Sequence, residues 1–456
     1  MTLPGPPMKT PATRVKILFG LMSALLIGGL GAIEPAAAQS YSVIKLPTLG
    51  GGSSHVAGVN NAGQVVGDSA TREAVTHAFV FHHGTITDLG TLGGANSFAA
   101  GINSAGLVVG YSDMPFGTAQ HATLWIGATP IDLGTNGGRF SVAYAINDAG
   151  EIVGSTSTAV LGPQAARWIA LSIADIGSDP TAFSVARGIN ASGQIVGQQN
   201  DPEPLGYVWN GLVATQLLAS LGDGESDAYA INSRGQVAGW AQVSSVPLAP
   251  NHAVRWSSTT ATSATDLGTL GGTSSAALGM NAAGHIVGWA GTSSGAQHAA
   301  VWIGIRANDL NEAIGRAHSR YVVLTEATGI NDHGWIVANG VDRRTNETKA
   351  YLLIPRSAVC RDRDRGRDRD HDAGDRPRQI DSDPSGGGAE FNASREAKKR
   401  APTLGMTEAQ VRWQTLWGAP RTVSTARIGD ESFDLWWYDD ERYLEFMNDC
   451  LAEIHK

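Results

Sequence analysis

The sequence is nearly devoid of cysteine: it has two in 456 residues, Cys360 and Cys450, both beyond Pro355. Everything before Pro355 must therefore fold by burial alone, because disulfides cannot staple it. In an oxidising compartment the two thiols could pair across the C-terminal region; unpaired or intermolecular thiols are the alternative. Charge is also sparse, at 16% of residues, and the net value is −9. Between residue 39 and Pro355 there are 13 basic and 21 acidic side chains, and after Pro355 there are 17 and 20. Neither part has the basic surface that nucleic acid demands, which excludes that class of partner. No clustered metal ligands and no cofactor motif stand out.

The N-terminus reads as an export signal. Lys9, Arg14 and Lys16 form a positive start, Ile17 to Ile33 is an apolar run without a charge, and Ala36, Ala37 and Ala38 are the small residues a signal peptidase needs. Residues 1–38 are read as the signal peptide and the mature chain begins near Gln39, leaving no transmembrane segment after cleavage. An uncleaved anchor helix is the rival reading, since the run just reaches spanning length. No Cys follows the run, which argues against a lipid anchor. Loss of residues 1–38 takes the formal charge from −9 to −11, so the exported form is acidic and its place is the periplasm or the cell exterior.

The body is repetitive. Seven segments share one pattern: Gly58 to Gly67 (GVNNAGQVVG), Gly101 to Gly110, Ala145 to Gly154, Gly188 to Gly197, Ala230 to Gly239, Gly279 to Gly288 and Gly329 to Ala338. Each has Asn followed three residues later by Gly. That spacing predicts a type I turn capped by the Asn side chain, with Gly in a left-handed conformation, closing a tight hairpin. A third strand follows at His77 to Phe81, His121 to Trp125, Gln164 to Trp168, Leu205 to Trp209, His252 to Trp256, His298 to Trp302 and Lys349 to Leu353, ending in an aromatic in all but the last. A fourth short strand ends at Asp88, Asp132, Asp175, Asp266 or Asp309, and near Gln216 to Leu218 in the fourth copy. Four short strands in roughly 44 residues is the size of a propeller blade. The seventh copy lacks its fourth strand, while Ser42 to Gly51 resembles the end of a repeat with nothing before it. Pairing that segment with the last three strands would close the ring and leave no sheet edge. The expectation is an all-β chain with a seven-bladed β-propeller over residues 39–355.

Residues 356–400 contain RDRDRGRDRDHDAGDRPR, seven Arg against six Asp, and read as a disordered charged linker. Asp368, Asp370 and Asp372 alternate as in a calcium loop, but Ala373 stands where such a loop wants Gly. Residues 401–456 read as a small α+β domain. Thr407 and Gln410 make a capping box for a short helix ended by Gly418 and Pro420, and strands are expected at Ser432 to Tyr438, Arg442 to Phe446 and Leu451 to Ile454.

With Thr91-Leu92-Gly93-Gly94, Gly101-Ile102-Asn103, Val109-Gly110 and His121-Ala122 in register, the region from Ser42 to about Pro355 resembles the bacterial extracellular HAF-repeat family. The resemblance implies an exported propeller-like module without an assigned activity. The motif's His is present only at His77, His121, His252 and His298. Gly405-Met406-Thr407, Val411, Gly418, Pro420 and Trp437 to Ile454 are similar to the small SmpA/OmlA domain and its β-lactamase-inhibitor-like relatives, protein-interaction modules rather than enzymes; here Thr407 to Gly418 is about two residues longer than that family's pattern.

Most conspicuous residues have structural explanations. Equivalent His residues in successive blades spread around a ring, so they are expected to satisfy local polar groups, with the fourth-strand Asp as the candidate partner, rather than to hold a metal. The third-strand aromatics recur too strictly for a ligand site and are expected in the core. Gly291 to Gly295 matches G-x-S-x-G around Ser293, but a loop is no nucleophile elbow. The loops joining strands two to three and four to one share one face and vary in content, so the ligand face is assigned to Tyr111 to Gln120, Trp240 to Asn251 and Trp289 to Gln297, with Tyr111, Phe116, Trp240 and Trp289 as candidate contacts. The first reading is a non-enzymatic binding or scaffold protein with a protein or glycan partner. A secreted glycan-active enzyme, hydrolase or lyase, is the second; it would need two of Asp68, Asp113, Glu203, Asp223 and Glu225 to converge. Envelope assembly through the C-terminal domain is the third.

Overall fold

The Asn-x-x-Gly turn sets the geometry of each repeat. In the first, Asn60 Oδ1 accepts from the backbone N–H of Ala62 at 3.1 Å and Gln64 at 2.9 Å, and Gly63 takes φ 76°. The same cap recurs at Asn103, Asn147, Asn190, Asn232, Asn281 and Asn331. A left-handed Gly three residues on lets the chain reverse without a Cβ clash.

The computed structural model describes residues 39–355, except 83, 160–161, 178–181, 201–202, 212–215 and 247, together with the strands of 422–428, 431–437, 443–447 and 450–455. Within 39–355 seven four-stranded antiparallel sheets form a ring, a β-propeller. Blade one is Gly50–Val59, Val65–Thr71, Thr76–His82 and Thr85–Asp88; blade two is Ser97–Ile102, Val108–Asp113, Gln120–Ile126 and Thr129–Asp132. Blade three is Ser141–Ile146, Ile152–Ser157, Pro163–Ile169 and Ser172–Asp175; blade four is Ser184–Ile189, Ile195–Asn200, Pro204–Trp209 and Gln216–Leu217. Blade five is Ser226–Ile231, Val237–Gln242, Asn251–Trp256 and Ala264–Asp266; blade six is Gly271–Met280, Ile286–Thr292, Gln297–Ile303 and Arg306–Asp309.

Blade seven is closed as the orphan segment predicts. Val322–Ile330, Ile336–Asp342 and Glu347–Pro355 receive Tyr41–Lys45 as their outer strand, with Tyr41 opposite Pro355 and Lys45 opposite Tyr351. The expected segment Ser42 to Gly51 is divided, however: the strand ends at Lys45, the Leu46 N–H makes a last bond to the Ala350 carbonyl at 2.9 Å, and Gly50 onward already belongs to blade one. Pro47 has no N–H to offer a ladder, so the strand stops there. Lys45 Nζ donates to Asp342 Oδ2 at 2.8 Å, tying the closing strand to the blade it completes. Two short helices, Leu310–Ala313 and Gly315–Ser319, lengthen the step from blade six to seven; Asp309 ends the preceding strand and caps the first helix by accepting from the Asn311 N–H.

The third-strand aromatics pack as core. Trp125, Trp168, Trp256 and Trp302 are fully buried and Phe81 nearly so, while Trp209 is half-buried. The indole N–H groups of Trp168, Trp256 and Trp302 reach the carbonyls of Leu133, Ala219 and Leu267 in the preceding blade. Each ring therefore ties two neighbouring blades, and at about 200 Å² of buried surface contributes several kcal/mol. Ser54, Ser97, Ser141, Ser184, Ser226 and Ser275 add a second tie, each Oγ accepting a third-strand N–H from the blade before.

Thr422–Ile428, Glu431–Trp437, Tyr443–Met447 and Cys450–His455 form a four-stranded antiparallel meander. Three of these correspond to expected strands. The first was not anticipated, although its β-branched Thr422, Val423, Thr425 and Ile428 suit a strand. The segments expected as a signal peptide, a charged linker and a helix after Thr407, together with Cys360, lie outside the described residues.

Candidate functional site

The first strands line a central channel, and at its turn-side end the seven Asn residues do more than cap turns. Each Nδ2 donates to the backbone carbonyl of the next blade's Asn: Asn60 to Asn103, on through Asn147, Asn190, Asn232, Asn281 and Asn331, and from Asn331 back to Asn60, at 3.0–3.3 Å. The belt surrounds a cavity of about 280 Å³. In four blades the second amide hydrogen goes to Gln64, Glu151, Gln194 or Gln236, so the side chain meets all four of its hydrogen-bonding capacities.

One layer inward, every first strand carries a β-bulge with one unpaired residue: Ala57, Ala100, Tyr144, Arg187, Tyr229, Leu278 and Thr328. Bulges re-aim side chains, and Tyr144, Arg187 and Tyr229 line a channel cavity of about 220 Å³. The second-strand Gly is needed opposite: a Cβ on Gly110 would lie 1.9 Å from the Phe98 carbonyl. Blades three, four and five thus place two tyrosines around one arginine, while the other four bulge positions are small or aliphatic. The Arg187 guanidinium lies 4.5 Å from the Tyr229 ring centre and 5.9 Å from that of Tyr144. Its Nε donates to Asp227 Oδ2 at 2.8 Å. Asp227 is only 2% exposed, and burial pushes its carboxyl up to about 6 despite the opposing pull of Arg187. Burial also raises the Tyr229 hydroxyl, against which the Trp240 indole donates.

Toward the loop face a second ring of pairs follows. His55 Nδ1 contacts Asp68 Oδ2 at 3.2 Å, and this hydrogen bond makes the imidazole more basic than usual against the cost of burial. Phe98 stacks on Tyr111 at 4.8 Å. Asn339 joins Glu326 to blade one, its Oδ1 accepting from the Val56 N–H. Asp227 lies opposite Trp240, and Ala276 opposite Trp289.

Of the sequence candidates, Phe116 alone lies on a loop tip. It is 98% exposed, with φ 66°, between strands two and three of blade two. Tyr111, Trp240 and Trp289 are half-buried at one register position of the second strands. The strands run past them to Asp113, Gln242 and Thr292, because the ladder to the third strand continues beyond each aromatic; the loops therefore begin three or four residues after the starts assigned to them. The structure adds Leu248, also 98% exposed and left-handed at φ 65°, on the corresponding loop of blade five. Phe140, Phe183 and Val246 are exposed on loops of the same face. Ile126, Ile169, Leu171, Ile303 and Ile305 are exposed on the opposite side, at uniform strand three-to-four hairpins.

The repeated His residues pair as anticipated. His77, His121, His252 and His298 Nδ1 contact Asp88, Asp132, Asp266 and Asp309 at 2.7–2.9 Å. The same Asp carboxylates accept the N–H two residues on, from Gly90, Gly134, Gly268 and Asn311. Among the described residues no group of three His, Cys, Asp or Glu is arranged to hold a metal. Asp68 is engaged by His55, and Asp113 accepts from Asn96 at 2.8 Å. Ser293 sits in a turn followed by a strand, without the helix of an elbow. No protein-family model matches the chain, and neither does any curated protein.

Proposed function

We propose that this chain is an exported, non-enzymatic binding or scaffold protein, at work in the periplasm or outside the cell, whose propeller offers its variable-loop face to a protein or glycan partner. The observation that carries this reading is the pair Phe116 and Leu248. Each is an apolar side chain almost wholly in solvent, and each holds a left-handed backbone that costs a non-glycine residue roughly 1–2 kcal/mol. Burial against a partner would recover what exposure forfeits, and a large exposed apolar side chain on a rigidly held loop is the usual anchor of an interface. The repeat architecture supports a platform role, since seven equivalent blades supply seven independently variable loops.

The test is binding of the mature chain to a glycan array and to envelope proteins, with Phe116→Ala and Leu248→Ala in parallel. Saturable binding that falls at least tenfold in both variants supports the loop face. Binding that survives both and disappears when residues 401–456 are deleted moves the function to the C-terminal strands.

A further inference from the structure

The channel contains a second feature that the loop face does not explain. Arg187 is the only cation among the seven bulged positions, and no tyrosine occurs there except on its two sides, at Tyr144 and Tyr229. Among the described residues Asp227 is its one hydrogen-bonding partner, and it uses Nε alone. The two terminal nitrogens, which form the fork suited to a carboxylate, are left without a protein acceptor in a side chain that remains partly open to the cavity. We infer that Tyr144, Arg187 and Tyr229 form a binding site for the carboxylate of a small organic acid entering the channel, with Asp227 as the resident counter-ion.

Four observations define the ligand. The Tyr229 and Tyr144 rings lie 4.5 and 5.9 Å from the guanidinium and take part of its surface from water, which strengthens a charged hydrogen bond. Opposite, Ala57, Ala100 and Thr328 leave the channel open where the other blades supply bulk. A cavity of about 220 Å³ is smaller than those that take drug-sized molecules, so the guest is about the size of one sugar ring or less. Finally, Arg187 and Asp227 together carry no net charge, which favours a monocarboxylate over a multiply charged anion. Burial raises the Asp227 carboxyl, so it takes up a proton more readily than a solvated aspartate and then opposes an incoming carboxylate less.

This site is independent of the loop-face reading, because its assay contains no macromolecular partner. Isothermal titration of the whole mature chain at pH 6 with D-glucuronate, lactate and glucose reads it directly. Saturable binding of glucuronate, with or without lactate, and at least tenfold weaker binding of glucose are expected. Uptake of both acids would define a site for the carboxylate alone, and uptake of glucuronate only would define one for an acidic sugar. Arg187→Gln should weaken glucuronate binding at least tenfold, and Arg187→Lys, which keeps the charge but not the fork, several-fold. Asp227→Asn is the decisive variant. It removes the competing carboxylate at nearly constant volume, so affinity should rise several-fold, a gain that misfolding cannot mimic. Glucose bound as well as glucuronate, no saturation by either acid up to ~10 mM, or weaker binding in Asp227→Asn would overturn the inference.

Discussion

Replacing Asn103 separates the two jobs its side chain performs. Its Oδ1 caps the turn through the Ala105 and Leu107 N–H groups at 3.1 and 2.9 Å, and its Nδ2 donates to the Asn147 carbonyl at 3.2 Å. Asn103→Ala removes all three and leaves buried backbone groups without partners. At about 1 kcal/mol for each lost bond, the expected loss is about 3 kcal/mol. Asn103→Asp keeps both caps but sets a carboxylate oxygen against a carbonyl oxygen inside the belt, which should cost about 1–3 kcal/mol at pH 7. The second deficit depends on pH. A carboxyl in that position gains a proton more easily folded than unfolded, and once protonated it can donate to Asn147, so the deficit relative to wild type should shrink as pH falls toward 4. Urea unfolding of the three proteins at pH 7 and pH 4.5 measures this. If Asn103→Asp matches wild type at pH 7, the inter-blade bond contributes nothing; if its deficit is the same at both pH values, the cause is not the missing donor.

Asp227 should make wild-type stability rise as pH falls, because its folded carboxyl is raised to about 6 from an ordinary 3.8 and the folded state therefore binds the proton first. The gain between pH 7 and pH 5 should be about 1 kcal/mol in urea midpoints and absent in Asp227→Asn; an unchanged slope in that variant would show another group is responsible. Asp342 acts in the opposite direction: Lys45 holds its carboxyl well below the usual range, so the stabilisation is present above pH 4 and is lost as pH falls through the depressed value. Lys45→Ala should cost about 1 kcal/mol at neutral pH and speed hydrogen exchange of the Tyr41–Lys45 amides ahead of the rest of blade seven, whereas uniform exchange would show that the ion pair does not hold that strand. Phe116→Gly and Leu248→Gly relieve a left-handed strain and should leave thermal stability unchanged or raised by up to about 1 kcal/mol while partner binding is lost; a drop in melting temperature would mean that these side chains pack rather than wait.

The blades were legible because each repeat states its strands twice, by the Asn-x-x-Gly turn and by the buried aromatic of the third strand. Closure was legible in the same way, since a missing strand at one end matched a surplus one at the other, although the closing strand stops short of Pro47. The inter-blade role of Asn was not, because the turn already accounts for Oδ1 and nothing in spacing shows where Nδ2 points. Arg187 did leave a signal: it stands before Gly188-Ile189-Asn190 where Ala57 and Ala100 stand in the first two copies. Its significance depends on Tyr144, Tyr229 and Asp227 meeting it, and only the bulge makes that position face the channel. Tyr111, Trp240 and Trp289 read as loop residues from sequence because an aromatic after Val-Val-Gly or its equivalents looks like the end of a strand, whereas the ladder continues beyond them.

The asparagine belt also bears on how such a ring could have arisen. Every link runs in the same sense, from one copy to its successor, and both halves of the link are encoded in the same few residues. A duplicated copy would bring its own donor and its own acceptor, and a deleted copy would take both away, so the joint is conserved under either event. Because Tyr41–Lys45 completes the last blade rather than opening the first, the unit that is copied is offset from the unit that folds. Growth by whole repeats would therefore leave the seam intact, and ancestral chains could have changed blade number without inventing a new interface.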